Sequence, residues 1–374
     1  MDKFTEDRKT QENSAKNKLS FSELLVHASR KSGKSVGKIT RDWWRLHWGK
    51  GKLSLLEYIT WQVYDDRFSQ KEKEQFISTA VHWPLTEDSC DRTWDAATED
   101  KFLADTILRA HGLPVPETVA VIDHSIRHYG DTPKLSSVHE LRDFLTQEGN
   151  LPLFGKALRG IGSFGVIHIS GADDTHIHLK SMDSVTYEDF LNNLIGDTSY
   201  VLQRIVQNHS AIDEFCSATA TVRLVVLVRE KENDVRFPLA AFSIPGGGNI
   251  ADAFFWRSGN ACCNVDPANG ELQNIITSDG PDLISNDIHP ETGADIIGMK
   301  LPHWDRLLEI ATQAAKLYAP VRYQSLDIAL TDEGPVIIEI NTGGGFGLPQ
   351  NASQKGMMTD EVRQFFRDCG SKRV

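Results

Sequence analysis

The chain has 374 residues, enough for roughly two or three lobes of ordinary size or for one large α/β unit. Its 40% hydrophobic and 25% charged content suits a protein that buries a large core, and a formal net charge of −12 argues against a general nucleic-acid binder, which would carry a basic face. No apolar run reaches the ~18 residues of a spanning helix, no signal peptide opens the sequence, and five cysteines at odd spacing fit neither a disulfide framework nor a zinc site, so a cytoplasmic protein is expected.

In chain order, residues 1–20 are polar and aperiodic and read as a mobile tail. The first fifty residues hold twelve Lys/Arg and six Asp/Glu, a net +6 that leaves −18 for the rest. Residues 21–95 read as a helical region, with apolar residues at helical spacing in "FSELLVHASRKS" and "LSLLEYITWQVYDD". Between them, "RDWWRLHWGKGK" sets Trp43, Trp44 and Trp48 among basic residues. Such a segment could touch an anionic membrane surface; the preferred reading is a Trp-rich core edge with basic residues in solvent. The next unit, 96–150, opens on a helix predicted from an N-cap at Thr98 to about His111, stopped by Gly112, Pro114 and Pro116 and followed by a strand.

Residues 151–215 form a third segment, in which "LPLFGKALRGIGSFGVIHI" predicts strand, glycine-rich turn and strand, then a helix in "YEDFLNNLI" and a strand in "SYVLQRIVQ". From 216 to 374, "TATVRLVVLVRE" and "RFPLAAFSIPG" read as two strands able to pair, "HWDRLLEIATQAAKLYA" as an amphipathic helix, and "SLDIALTDEGPVIIEIN" as two strands joined by a tight turn. The pattern is α+β with antiparallel elements in the second half. Cys262 and Cys263 read as half-buried strand residues and not as ligands, His289 and Trp304 as structural, and His209 as capping a turn or lining a ligand.

Two stretches carry chemistry. In "GKALRGIGSFGV", Lys156 lies on a strand that enters a turn with Gly160, Gly162 and Gly165; glycine lets backbone N–H groups approach phosphate oxygens, and the lysine adds a point charge. No Gly-Lys-Ser/Thr closes the turn, and a strand follows it, so neither the P-loop nor the dinucleotide fingerprint is present. In the last strand pair, Asp327 and Glu339 interrupt apolar runs, and Asn341 shares the face of Glu339. Two carboxylates and an amide carbonyl are hard oxygen donors of the kind Mg²⁺ takes.

The order of these motifs resembles the ATP-grasp superfamily. "EDKFLADTILRAHGLPVPET", "PLFGKALRGIGSFGV", "YVLQRIV", "TVRLVVLV" and "LDIAL…GPVIIEIN" look like its Asp-Lys helix, second lysine strand with phosphate loop, hinge strand, arginine strand and metal pair, over about residues 95–350. "VDPANGEL" and "HPETGADIIGMKLPHW" resemble the sugar-transfer-associated branch, related to the α-L-glutamate ligases. The resemblance implies an ATP-grasp fold, two α+β lobes clamping ATP, here with a helical N-terminal extension. It implies ATP and Mg²⁺ as cofactors, with Lys101 and Lys156 on the phosphates and Gly160, Gly162, Ser163 and Gly165 closing over them. Gln203, Arg204 and Ile205 would lie along the adenine, Arg223 would steady the transferred phosphoryl group or oxyanion, and Asp327, Glu339 and Asn341 would hold the metal. The implied activity is ADP-forming ligation of a small-molecule carboxylate to an amine through an acyl phosphate; a small-molecule kinase and a nucleotide-binding module without turnover are the alternatives. Relatives often carry Asn and paired glycines where Ser258, Gly259 and Asn260 stand, which leaves the acceptor side open.

Overall fold

The computed structural model describes residues 2–7, 9, 19–160, 164–180, 182–246, 248–251 and 259–374. Two seven-stranded sheets organise the chain. The first contains β1 (Thr118–Ile122), β2 (Lys134–Leu135), β3 (Leu153–Ala157), β4 (Ile167–Ala172), β5 (His176–Leu179), β6 (Val185–Thr186) and β7 (Tyr200–Arg204), in the order β2-β1-β7-β3-β4-β5-β6. Its pairings are antiparallel except for β1 with β2. Because β1 pairs with β7, the segments 96–150 and 151–215 contribute strands to one sheet.

The second sheet contains β8 (Thr221–Arg229), β9 (Asp234–Ile244), β10 (Ala261–Val265), β11 (Ile275–Asp279), β12 (Asp282–Asn286), β13 (Tyr323–Thr331) and β14 (Gly334–Thr342), in the order β12-β11-β10-β9-β8-β13-β14. Here every pairing is antiparallel. Helices cover both faces, which is why β8 and β13 read as nearly continuous apolar runs instead of alternating. On one face, Val222, Leu224, Val226, Leu326 and Ile328 pack with Leu307, Ile310, Ala311 and Ala314 of the helix Trp304–Leu317. On the other, Val225, Leu227 and Tyr323 meet Val362, Phe365 and Phe366 of the helix Asp360–Asp368. Farther along the same sheet, Ala241, Cys262, Ile276 and Leu283 meet the helices Phe21–Ser32, Val36–Trp48 and Leu55–Thr60. The expected N-terminal helical extension is therefore part of the core of the second sheet, and with both faces covered Cys262 and Cys263 are strand residues fully and not half buried. Among the described residues, no helix is long and apolar enough to cross a membrane.

Two local expectations change. The single helix expected from Thr98 is two helices, Asp95–Glu99 and Lys101–Ala110. Asp100 is the cap at the break: its carboxylate accepts from the Leu103 N–H and is bound by Arg127 at 2.5 Å and Arg159 at 3.3 Å. A short carboxylate satisfies a free helix-start N–H well, and two guanidinium groups stabilise its charge with none of its surface exposed. Of the stretch expected to be a mobile tail, residues 3–7 are helical; Phe4 meets Phe164 edge-on at 5.8 Å, and Asp7 Oδ2 accepts from the Gly165 N–H at 3.0 Å.

Candidate active site

A cleft between the two sheets, with about 880 Å³ of space continuous with solvent, takes its walls from both. The first sheet supplies Phe154, Lys156 and Ala157 from β3, and Gln203 and Arg204 from β7, with Ile205 and Val206 beyond. The second supplies Asp327 from β13, and Ile338 and Glu339 from β14. Lys101 enters as the first residue of its helix, a position fixed by the Asp100 cap.

The acidic strand pair has the predicted geometry. Asp327 sits opposite Glu339 across β13–β14 and opposite Arg223 across β13–β8. A register shift after Asp327 brings Ile328 against Ile337, so two residues of β14 span one step of β13 there. Arg223 grips Asp327 through both Nε and Nη2, the latter at 2.8 Å from Oδ2. Asn341 Nδ2 lies 3.5 Å from Asp327 Oδ2. Lys101 Nζ lies 3.0 Å from Glu339 Oε1 and donates to the Gly160 carbonyl at 3.1 Å. Residues up to 238 positions apart in sequence thus form one charge cluster.

Burial and neighbouring charge act on these two carboxyls differently. At Glu339 burial raises the pKa, but Lys101, then Lys156 and Arg223, outweigh it and hold the carboxyl below its ordinary range. At Asp327 burial is the larger influence; Arg223 opposes it, Glu339 reinforces it, and the pKa is raised. A third carboxyl, Asp105, lies one helical turn beyond Lys101 and is pushed up to about 6 by burial, against the pull of Lys156.

Lys101, Lys156, Gly160, Gln203, Arg204, Ile205, Asp327 and Glu339 all line the cleft. Arg223 and Asn341 reach it through Asp327. Gly165 does not line it, and its N–H is taken by Asp7. Gly162, Ser163 and Ser258 lie outside the described residues. The side chains of the expected adenine-side pair are engaged elsewhere. Gln203 Nε2 donates to Asp105 Oδ2 at 2.7 Å, and Arg204 Nη1 donates to the carbonyls of Gly149 and Asn150 at 2.7 and 2.9 Å. The roles expected for His209, His289 and Trp304 fit the structure. His209 Nδ1 caps a short turn at Ala211, His289 is buried, and Trp304 Nε1 donates to the Pro267 carbonyl.

Sequence reasoning missed Phe154, Val166, Thr219, Thr221, Ile250 and Ala251 as cleft residues. Phe154 was accessible to it, being two positions before Lys156 on one strand face. Ile250 and Ala251 follow a glycine run that carries no strand or helix period. Asp105 stands four residues after Lys101, the spacing that places both on one helix side. Beyond Asn341 the chain turns at Gly343, with φ +69, where a Cβ would meet Thr86 Oγ1 at 2.6 Å and His82 Nε2 at 3.0 Å. Those two atoms and Ser325 Oγ are buried polar atoms without a hydrogen-bond partner among the described residues.

The donor set at the strand pair is two carboxylates and one amide. Among the described residues, no group of three or more His, Cys, Asp or Glu gathers to hold a metal. These oxygens suit a hard cation that takes its remaining ligands from water or from phosphate, the usual situation of Mg²⁺.

Solved structures with a similar chain path include D-alanine–D-alanine ligase from Bacillus anthracis, at 13% identity and TM-score 0.44, covering 78% of this chain and 76% of that one. VanG D-Ala:D-Ser ligase from Enterococcus faecalis is similar at 13% identity and TM-score 0.42, covering 74% and 64%. The ATP-grasp ligase PsnB is similar at 14% identity and TM-score 0.35, covering 80% and 70%. No curated protein sequence matches the chain. Residues 85–365, most of the chain and every charged residue of the cleft, match the model of the sugar-transfer associated ATP-grasp family, and the chain belongs to that family.

Proposed function

We propose that this protein is an ATP-dependent carboxylate–amine ligase that forms an amide through an acyl phosphate. One observation carries the reading: Lys101, Lys156, Arg223, Asp327, Glu339 and Asn341, from five separate segments, converge on a single cleft in a chain of the ATP-grasp family.

On this reading ATP lies in the cleft with its phosphates toward Lys101 and Lys156. Asp327, Glu339 and Asn341 would hold Mg²⁺, which supplies positive charge to the phosphate oxygens. A carboxylate oxygen of the first substrate attacks the γ-phosphorus, the bond from that phosphorus to the bridging oxygen breaks, and ADP leaves. Little covalent chemistry falls to the protein; positioning and charge neutralisation carry the step. Lys101 begins its helix directly after the Asp100 cap, which holds its ammonium at the cleft beside Glu339 and the Gly160 carbonyl. An amine then attacks the acyl carbon, Arg223 stabilises the oxyanion that forms, and inorganic phosphate leaves. The apolar wall formed by Phe154, Val166, Ile205, Val206 and Ile338 limits water at the nucleotide.

The test is product analysis by mass spectrometry after incubating the protein, Mg²⁺ and ATP with a pool of cell metabolites. A new compound equal to acid plus amine minus water, formed with ADP and absent with Asp327→Asn, is the expected result. A metabolite that gains only a phosphoryl group would replace the ligase reading with a kinase.

A further inference from the structure

We infer that the surface formed by the helices Phe21–Ser32 and Val36–Trp48 is a docking face for an anionic phospholipid membrane. In the helix Val36–Trp48, Ile39, Trp43 and Leu46 point into the core. Trp44 and Trp48, four residues apart and therefore on one side, do not; they are 53% and 71% exposed. Their rings are neighbours at 5.9 Å, His47 lies beside both, and Trp43 links them to Phe21 of the adjacent helix at 5.5 Å. Phe21 is itself 53% exposed. The result is a continuous aromatic ridge that faces solvent outside the cleft.

Charge selects the partner. Residues 19–52 hold eight Lys/Arg and two Asp/Glu, a net +6 in a chain of net −12. Other basic residues here are already paired: Lys31 with Asp282, Lys34 with Asp66, and Arg45 with Asp42. Arg30, Lys38, Arg41, Lys50 and Lys52 are exposed, and among the described residues none of them meets a carboxylate at ion-pair distance. Arg41 stands three positions before Trp44 and so flanks the ridge. Indole rings favour the headgroup level of a bilayer, and lysine and arginine are drawn to its negative surface potential. The acidic remainder of the molecule is repelled by that surface, so approach is confined to this one face.

The experiment is co-sedimentation of the full chain with phosphatidylcholine vesicles with and without phosphatidylglycerol, at low and high salt. The expected result is binding to the anionic vesicles about tenfold or more above neutral ones, weakened by salt, with a blue shift of tryptophan emission. Trp44→Ser with Trp48→Ser should lose about tenfold in partitioning, and Lys38→Glu with Arg41→Glu a similar factor. Both pairs are solvent-facing, so unfolding midpoints and ATP turnover in solution should stay at the parent value. Equal binding to both vesicle types, no binding to either, or full binding by both double variants would overturn the inference. In the second case a protein partner becomes the occupant of the ridge.

Discussion

Replacing Asp105 with asparagine isolates a stability cost carried behind the cleft, against Gln203, at neutral pH. Asp105 is 7% exposed and accepts from Gln203 Nε2 at 2.7 Å and Thr118 Oγ1 at 3.0 Å. Burial raises its pKa from an ordinary 3.8 to about 6 even though Lys156, Thr118, Arg109 and Gln203 all act to lower it. The folded protein therefore holds this proton more tightly than the unfolded chain does. The favourable contribution is complete below the unfolded value of 3.8 and is lost as pH rises through about 6. Over that window the loss amounts to about 3 kcal/mol. Asparagine keeps the shape and an acceptor oxygen but cannot ionise.

Urea unfolding of parent and Asp105→Asn proteins at about pH 4.5 and about pH 7.5 should show the variant gaining about 2 kcal/mol relative to the parent between the two conditions. Constant effects of the substitution, such as a weaker hydrogen bond to Gln203, cancel in that difference. A stability difference that does not change with pH, or that moves the other way, would refute the reasoning. It would mean that Lys156 and the polar partners compensate fully for the lost hydration.

Further outcomes follow from the same geometry. Lys101→Met should lower ATP-dependent turnover by about 100-fold or more with the fold retained, since the ammonium serves Glu339 and the cleft and not a packed core; steady-state kinetics with circular dichroism checks it. Asp327→Asn and Glu339→Gln should each abolish turnover and remove the response of the thermal midpoint to Mg²⁺ with ATP, read by scanning fluorimetry. Gly51→Ala should cost about 1–3 kcal/mol without changing the KM for ATP, because a Cβ there would lie 2.3 Å from the Phe76 carbonyl oxygen, far from the cleft. His82 is half-buried with its Nε2 enclosed, and its pKa is pushed down to about 4 by that burial, so stability should fall as pH drops below about 6.5, and His82→Gln should flatten that limb of the pH–stability curve.

The cleft was legible in sequence wherever a charged residue broke an apolar run. Asp327 and Glu339 stand out because their neighbours Leu326, Ile328, Ile338 and Ile340 demand burial, and a buried carboxylate needs a cation. What those cations are is a matter of register. Arg223 meets Asp327 because β8 and β13 align at that residue, which no local pattern announces. The helix boundary at Asp100 was hidden for the same reason, since Thr98 is an equally good local cap and the deciding partner, Arg127, comes 27 residues later. The three tryptophans look alike in sequence, but a helix turns about 100° between Trp43 and Trp44 and so sends one to the core and the other to water.

The resting cleft has a logic of its own. Two partly buried carboxylates stand opposite each other on adjacent strands, and without a cation their repulsion would have to be relieved by protonation. The chain instead places Arg223 on one and Lys101 on the other. On the proposed reading these are also the groups that a bound nucleotide uses. On that reading Asp327 and Glu339 would pass to the metal as Arg223 and Lys101 pass to the phosphates, so neither set of charges would be left unmatched. Such an exchange favours joint binding of metal and nucleotide over either alone. Calorimetric titration of ATP should therefore give an affinity at least about tenfold higher with Mg²⁺ than without it, and Arg223→Met, which frees Asp327 beforehand, should shrink that ratio. Independent binding of ATP and Mg²⁺ in the parent protein would show that Arg223 and Lys101 are structural counter-ions that stay in place when the nucleotide enters.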